Sequence, residues 1–175
     1  IELLREFLLN PGHKLEKIQR LNLFFNLTVL YFQKGEYGKA IRTLNEIQHS
    51  DTWYIKNMGM YDALKKQVIE CITHFENTDY DFVSARIRSI EKMYKPLLDN
   101  PVYQREKKFF EILRSASKNP DVFEQADFKK QVMNLTQRRR LNHEDLQTIA
   151  FASWLISKTQ KKNYYETLIK MIGVE

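Results

Sequence analysis

Side chains that could bind a metal or transfer a proton are spread thinly along this sequence. Its four histidines are far apart: His13, His49, His74 and His143. None of them has a second ligand four residues away on a helix, the spacing that many metal sites use, so we expect no metal site. The adjacent acids Glu144 and Asp145 fall at a predicted helix start, where the helix dipole favours carboxylates without any catalysis.

Nucleophilic and phosphate-binding motifs require closely spaced glycines, and the chain has five glycines in all. The segment 35–38 reads as a hairpin turn. The single cysteine, Cys71, lies in an apolar helical stretch and cannot form an internal disulfide, which predicts a small buried side chain in a reducing, cytoplasmic setting. We therefore expect no catalytic residue, no cofactor and no enzymatic activity.

Positive charge is concentrated in the second half of the chain. Residues 1–80 carry 10 basic and 10 acidic side chains, whereas residues 81–175 carry 18 and 12. The run Arg138, Arg139 and Arg140 could contact nucleic acid or an acidic partner, or could simply solvate a link that follows a helix end. A nucleic-acid-associated helical regulatory domain using this basic half is therefore the alternative function, although no known reading motif accompanies the run.

The overall composition predicts the elements that must carry these residues. Hydrophobic residues make up 43% of the chain and charged residues 29%, while glycine and proline are scarce. This combination favours amphipathic helices and an all-α fold. No run approaches the roughly 18 apolar residues of a membrane span, so we expect no membrane association. The chain begins at Ile1, and we interpret it as the C-terminal part of a longer protein.

A turn pattern recurs along the sequence at nearly constant intervals. Polar segments interrupt the helical periodicity near residues 34–36, 77–79, 119–121 and 161–163. Each ends one residue before Tyr37, Tyr80, Val122 or Tyr164, which are 43, 42 and 42 residues apart. A short polar residue in such a turn can cap the next helix, and the residue after it can pack back onto the hairpin. The pattern predicts four helical hairpins.

These turns divide the chain into longer and shorter predicted helices. The longer helices are predicted at 13–33, 52–76, 102–118 and 143–160, and the shorter ones at 37–49, 80–94, 122–137 and 164–172. Residues 1–9 read as the end of a preceding repeat, and Gly173 as a helix stop. We predict a single helical-repeat domain over 1–175, with hairpins at 13–49, 52–94, 102–137 and 143–172.

The first full hairpin resembles a tetratricopeptide (TPR) repeat. Phe24, Leu27, Thr28 and Tyr31 stand at the spacings of that family's first helix. Residues 35–41 match its turn and second helix, with Ala40 as the small contact residue. The 42–43 residue period exceeds the family's period of about 34, so the repeats would be elongated and degenerate. The resemblance implies a right-handed α-solenoid of about four hairpins that binds a protein or peptide.

In the register of that family, the longer helices would line the concave face. The residues that the resemblance places there as partner-binding are Phe25, Val29, Phe32, Lys65, Ile69, Ile72, Phe75, Lys107 and Arg114. The helix 21–32 is apolar nearly all the way round, and its second apolar face is either a groove or core. We expect a non-catalytic interaction scaffold or a sensory repeat domain that binds a peptide or partner helix.

Overall fold

A computed structural model describes the chain except for residues 11–14, 48, 137–145 and 174–175. Every regular element in the described residues is helical and none of them forms a strand, which confirms the all-α prediction. The chain divides into two compact units, Ile1–Tyr94 and Lys95–Glu175. We call them unit 1 and unit 2 and describe each by itself, and the prediction of a single repeat domain stays a prediction.

Unit 1 contains the first two predicted hairpins. Its helices are α1 (Glu2–Leu9), α2 (Lys17–Gln33), α3 (Tyr37–Asn45), α4 (Asp51–Met58), α5 (Met60–Glu76) and α6 (Tyr80–Met93). The predicted helix 52–76 is broken at Gly59, whose φ of 86° and ψ of 158° lie outside the helical region. Only glycine adopts such a backbone readily, so Gly59 is the residue that allows the helix to break at this position.

Helix α4 begins one residue before the predicted start at residue 52. The cap is Ser50, whose hydroxyl accepts a hydrogen bond from the Trp53 N–H at 3.2 Å. Asp51 is the first helical residue, and its carboxylate is engaged elsewhere in the unit. The predicted start was late by one residue, because serine and aspartate are about equally good caps and the two stand side by side here.

The two turns of unit 1 have the same geometry. In each hairpin, a residue with left-handed φ stands in the turn after the first helix: Gly35 at 72° after α2 and Thr78 at 63° after α5. The next N–H reaches back five residues in both turns, from Glu36 to the carbonyl oxygen of Tyr31 and from Asp79 to that of His74, each at 2.9 Å. These are Schellman motifs, which satisfy the last carbonyl groups of a helix. Both turns lie where the sequence predicted them.

The aromatic residue after each turn packs back onto its hairpin, as predicted. The ring of Tyr37 lies 5.5 Å from that of Phe32, and the ring of Tyr80 lies 5.2 Å from that of Phe75, measured between centroids. In the shorter helix α3, Ala40 is fully buried, in accord with its predicted role as a close contact between helices. Local sequence patterns thus define both hairpins of unit 1.

Unit 2 contains the other two predicted hairpins. Its elements are α7 (Lys95–Leu98), a 3₁₀ turn (Pro101–Tyr103), α8 (Gln104–Lys118), a second 3₁₀ turn (Pro120–Glu124), α9 (Ala126–Thr136), α10 (Leu146–Gln160) and α11 (Tyr164–Ile172). Each 3₁₀ turn begins with a proline that follows an asparagine. The side chain of Asn119 accepts the Asp121 N–H at 3.1 Å, and the side chain of Asn100 is placed in the same way. Each of the predicted helices at 102 and 122 is thus preceded or begun by a 3₁₀ turn that an asparagine caps.

The last hairpin also follows its predicted turn. Lys161 takes a left-handed φ of 52°, and the Lys162 N–H donates to the carbonyl oxygen of Ser157 at 3.0 Å. Asn163 caps α11 by accepting the Glu166 N–H at 3.2 Å. Gly173 ends this helix with a φ of 75°, as predicted. Residues 143–145 of the predicted 143–160 helix lie outside the described residues.

Aromatic side chains fill the interior of unit 2. Trp154 on α10 is buried, and its ring lies 6.1 Å from the rings of both Phe109 and Phe123. Phe128 on α9 meets Phe123 edge-on at 5.4 Å. These contacts connect α8, the second 3₁₀ turn, α9 and α10 through one group of rings.

Candidate functional site

Four of the residues that the family register placed on the concave face are buried. Phe32, Ile69, Ile72 and Phe75 expose between 1% and 4% of their surface. Phe32 and Phe75 are the residues on which the turn tyrosines pack, which gives them a structural role in the hairpins. A partner could not reach these four side chains on an open face as the chain is folded.

The three charged residues that the resemblance placed on the concave face are half-buried, and they have partners of their own. The Lys65 ammonium lies 3.4 Å from the Asp62 carboxylate. It also lies 4.5 Å from the centroid of the Tyr61 ring, a cation–π contact. In unit 2, the Lys107 ammonium lies 3.6 Å from a carboxylate oxygen of Asp99, and Arg114 is half-buried on α8. Their role toward a partner stays a prediction.

One face of α2 keeps apolar side chains partly open to solvent. Ile18 is 44% exposed, Phe25 and Val29 are half-buried, and Asn22 between them is exposed. The spacing of 4, 3 and 4 residues places all four on one side of the helix. We call these four residues the α2 strip. Sequence reasoning missed Ile18, although the same spacing continued one turn toward the N-terminus would have found it.

The other side of α2 is core. Leu21, Phe24, Leu27 and Tyr31 are buried, and Thr28 is fully buried with its hydroxyl donating to the Phe24 carbonyl oxygen at 2.9 Å. The question that the sequence left open therefore has a divided answer. Most apolar side chains of this helix are packed, whereas those of the α2 strip and Leu30 stay at least partly accessible.

A group of charged side chains lies between α4, α5 and α6, and we call it the charged cluster: Asp51, Lys66, Gln67, Glu70 and Arg86. The Arg86 guanidinium forms two 2.9 Å contacts with the two carboxylate oxygens of Asp51 and two more with Glu70 Oε2. The Lys66 ammonium lies 3.7 Å from Asp51 and 3.6 Å from Glu70. The Gln67 amide donates to Asp51 at 2.9 Å. All four charged side chains are largely buried.

The electrostatics of this cluster favour fixed charges. Burial alone would raise the pKa of Asp51, but hydrogen bonds from Arg86 and Gln67, together with the charges of Arg86 and Lys66, lower that pKa overall. Burial and the neighbouring carboxylates raise the pKa values of Tyr54 and Tyr94 to about 12, so both phenols stay protonated at neutral pH. The arrangement holds ion pairs in place and offers no free base.

Sequence reasoning could see only one pair of this cluster. Lys66 and Glu70 stand four residues apart on α5, a visible helical ion pair. Asp51 and Arg86 are 35 residues apart, and no local pattern connects them. The cluster therefore becomes visible only once α4 and α6 are packed against α5.

The described histidines and the cysteine are engaged in hydrogen bonds, ring stacking or buried packing. His74 Nδ1 lies 3.0 Å from Asp79 Oδ2 at the second turn, and the imidazole stacks on Phe82. His49 stacks on Trp53. Cys71 is buried, and burial raises the pKa of its thiol, which makes the thiolate nucleophile inaccessible. Among the described residues, no three histidines, cysteines or acids are grouped as metal ligands would be.

Two concave surfaces are open to solvent, one in each unit. In unit 1, a cleft of about 200 Å³, which we call the α1–α3 cleft, is lined by Arg5, Leu8, Phe24, Leu27, Tyr31, Lys39, Arg42, Thr43 and Glu46. In unit 2, a groove of about 900 Å³ is lined by Gln104, Arg105, Lys108, Glu111, Ile112, Ser115, Gln131, Asn134 and Leu135. The first has a mainly apolar floor, whereas seven of the nine residues that line the second are polar or charged.

Several predicted features lie where the structure gives no description. His13, His143, Glu144, Asp145 and the arginine run 138–140 are all outside the described residues. In the part of the chain that is described, no helix is both long enough and apolar enough to span a bilayer. Comparison with protein families, with characterised proteins and with solved structures finds no match to this chain.

Proposed function

We propose that this chain is a non-catalytic protein-binding domain whose hairpins stack as a TPR-like, right-handed solenoid. The observation that carries the proposal is the α2 strip, a partly accessible face with three apolar side chains on a helix whose opposite side is buried core. Its partner would be an amphipathic helix or an apolar peptide that covers Ile18, Phe25 and Val29. A partly exposed apolar face of this kind is the usual basis of helix-in-groove recognition.

The polar residues beside the strip suit such a partner. Asn22 lies within the strip, and Asn26 is exposed one turn farther along the helix. Asparagine side chains both donate and accept hydrogen bonds, so they can pair with polar groups at the edge of a bound helix. The strip thus combines apolar contact area with groups that fix the orientation of a partner, as protein interfaces generally do.

The charges of unit 1 support a binding role without catalysis. Asp51, Glu70 and Arg86 are committed to one another in the charged cluster, and the described histidines lie in separate ring stacks. A general acid or base needs a group with a pKa near the working pH and access to a substrate. The pairing within the cluster holds the pKa of Asp51 low, which argues against such a role there.

A nucleic-acid partner is the second candidate, because the charges of the two units differ. Unit 1 contains 13 basic and 12 acidic residues, whereas unit 2 contains 15 and 10. The groove in unit 2 does not strengthen this candidate, since Glu111 stands among its cations and no aromatic side chain lines it. Binding to phosphates would weaken steeply with salt, which separates this candidate from the first.

The test of the proposed function is a selection of phage-displayed random dodecapeptides on the full chain. We expect apolar, helix-forming peptides to be enriched. Ile18→Asp and Val29→Asp should each weaken their binding by about tenfold or more, because each removes roughly one buried apolar side chain from the interface. The Leu30→Asp variant is the matched control, since Leu30 is also exposed on α2 and lies outside the strip.

Far-UV circular dichroism should show the same helix content in all of these variants. Failure to enrich any peptide, or selected peptides that bind the Ile18→Asp variant as tightly as the original chain, would contradict the proposal. A parallel selection with random oligonucleotides tests the other candidate. If oligonucleotides were enriched while no peptide was, and if their binding were lost at high salt, the nucleic-acid candidate would be favoured instead.

A further inference from the structure

The α1–α3 cleft of unit 1 has a mainly apolar floor of buried side chains. Leu8, Phe24, Leu27 and Tyr31 all line it, and all of them are at most 6% exposed. Because the floor is held by the packing of the unit, the cleft exists without a ligand. Its volume of about 200 Å³ is small, and it suits one large apolar side chain better than an extended chain.

The rim of the cleft is cationic. The Lys39 ammonium is paired with the Glu36 carboxylate at 2.7 Å and lies 5.6 Å from the centroid of the Tyr31 ring. Arg5 on α1 and Arg42 on α3 form no ion pair with any residue that the structure describes. Glu46 is the one acid that lines the cleft. The rim therefore has an excess of positive charge contributed by two different helices.

We propose that the α1–α3 cleft binds an acidic segment of a partner protein, which inserts one large apolar side chain between flanking carboxylates. The apolar floor accepts the side chain, and Arg5 and Arg42 attract the acids on either side of it. Arginine suits this role because its planar guanidinium can bind a carboxylate through two parallel hydrogen bonds. One apolar anchor within a charged rim is also the usual arrangement of an interface hot spot.

Two features favour a protein segment over a small organic acid. Arg5 and Arg42, which have no ion-pair partner within the described part of the chain, lie on separate helices, so a ligand that meets both must carry more than one negative charge and extend beyond the cleft. The cleft itself is apolar, so the charges of the ligand must lie outside its buried group. An apolar residue between acidic residues satisfies both conditions. This site uses a different face of α2 from the α2 strip. The inference therefore does not depend on the proposed function, and each can fail without the other.

The probes are three tripeptides, acetylated at the N-terminus and amidated at the C-terminus. The first is glutamyl-phenylalanyl-glutamate, the second replaces both glutamates by glutamine, and the third replaces phenylalanine by alanine. Each is titrated into the full ¹⁵N-labelled chain, and amide chemical shifts are followed. We expect the first peptide to shift amides in α1 and α3. Loss of the phenylalanine ring should weaken binding by about tenfold or more, and loss of the acids by about three- to tenfold.

Charge reversal on the rim provides the second arm of the experiment. Arg42→Glu and Arg5→Glu should each weaken binding of the first peptide by about three- to tenfold, since each removes an attraction at the surface and adds a repulsion. Arg88→Glu is the matched control, because Arg88 is an exposed arginine of the same unit on α6. That variant should bind the peptide like the original chain.

Each contrary result would overturn the proposal. Equal binding of the three peptides would show that neither the ring nor the acids are recognised. Undiminished binding to Arg42→Glu and Arg5→Glu, or shifts confined to other helices, would place the site elsewhere. If N-acetylglutamate bound as tightly as the first peptide, the cleft would be a site for a small acid. No binding at millimolar peptide would also reject the inference.

Discussion

Units 1 and 2 begin from the same sequence pattern and both bury mostly apolar side chains, but each contains a group of contacts of a different kind. Both contain hairpins whose turns recur at 42 or 43 residues. In unit 1, α4, α5 and α6 meet around the ion pairs of Asp51, Glu70 and Arg86. In unit 2, α8, α9 and α10 meet around the rings of Phe109, Phe123 and Trp154. The local pattern that makes a hairpin therefore does not decide how hairpins pack together.

The two kinds of interior differ in how they respond to change. Aromatic packing is non-directional in its main component, so its stability depends on volume and buried area. A largely buried ion pair depends on complete pairing, because desolvation makes an unpaired charge costly while the intact pair contributes little net stability. The aromatic group of unit 2 should thus be sensitive to loss of side-chain volume, whereas the charged cluster of unit 1 should be sensitive to loss of a single charge.

The largest effect is expected for Trp154→Ala. The indole is buried at the centre of the aromatic group of unit 2, and its removal should lower the free energy of unfolding by about 3–5 kcal/mol. Urea unfolding followed by far-UV circular dichroism would measure the loss, and hydrogen exchange should locate it in α8, α9 and α10. Trp154→Phe, which keeps a ring, should lose much less. A loss below about 1 kcal/mol would show that the aromatic group is not the core of unit 2.

Removing the arginine of the charged cluster should have the next largest effect. Arg86→Met keeps most of the side-chain volume but leaves Asp51 and Glu70 with only Lys66 as a cation, which should cost roughly 3 kcal/mol. Arg88→Met is the matched control, because Arg88 lies two residues farther along α6 and is exposed. Thermal or urea unfolding of the two variants measures the difference. Equal stabilities would mean that the cluster contributes no more than a surface charge does.

The pH dependence of the stability of Arg86→Met tests whether the lost pairing of Asp51 causes the destabilisation. The pKa of Asp51 is lower in the folded chain than in the unfolded one, so its contribution to stability is fully present above the unfolded pKa of about 3.9. That contribution is lost as pH falls through the lower, folded pKa. The original chain should therefore lose stability steeply below about pH 4, and Arg86→Met should lose less over the same interval. Parallel curves for the two proteins would rule out Asp51 as the titrating group.

Sequence alone was sufficient where the determining interactions are local. The turns at Gly35, Asn77 and Asn163 were predictable because capping and left-handed residues act within one turn of chain. The burial of Ala40 followed from the family register. The break at Gly59 was not predicted, because one glycine inside a helical pattern is often tolerated at a modest cost.

The site residues were harder to predict because they depend on packing. Phe32 and Phe75 were assigned to an open face, yet each lies five residues before a turn tyrosine and is covered by it. Helical periodicity gives the face of a side chain without naming what covers that face. The Asp51–Arg86 pair and the α1–α3 cleft each combine distant segments, so neither leaves a local signal in the sequence.

The smallest change in the free energy of unfolding is expected at the turns that the two units share, and it arises from the backbone angle φ of one turn residue. Gly35, Thr78 and Lys161 all take left-handed φ in equivalent turns, but only the first is a glycine. A β-branched residue in this region is strained, and the left-handed conformation costs non-glycine residues roughly 1–2 kcal/mol. Glycine removes that strain but gains freedom in the unfolded chain, so Thr78→Gly should raise the free energy of unfolding by about 0.5–1 kcal/mol.

The reciprocal change in the same unit, Gly35→Thr, should lower the free energy of unfolding by about 1–2 kcal/mol. A Cβ atom at Gly35 would have no closer neighbour than the Tyr37 hydroxyl at 4.0 Å, so this cost would come from the backbone and not from a collision. In unit 2, Lys161→Gly should gain less than Thr78→Gly, because it also removes the exposed 2.9 Å ion pair with Glu124. Urea unfolding of the three variants in parallel measures all three differences. If Thr78→Gly proved destabilising, residue 78 would not be left-handed, and the two turns of unit 1 would not be equivalent.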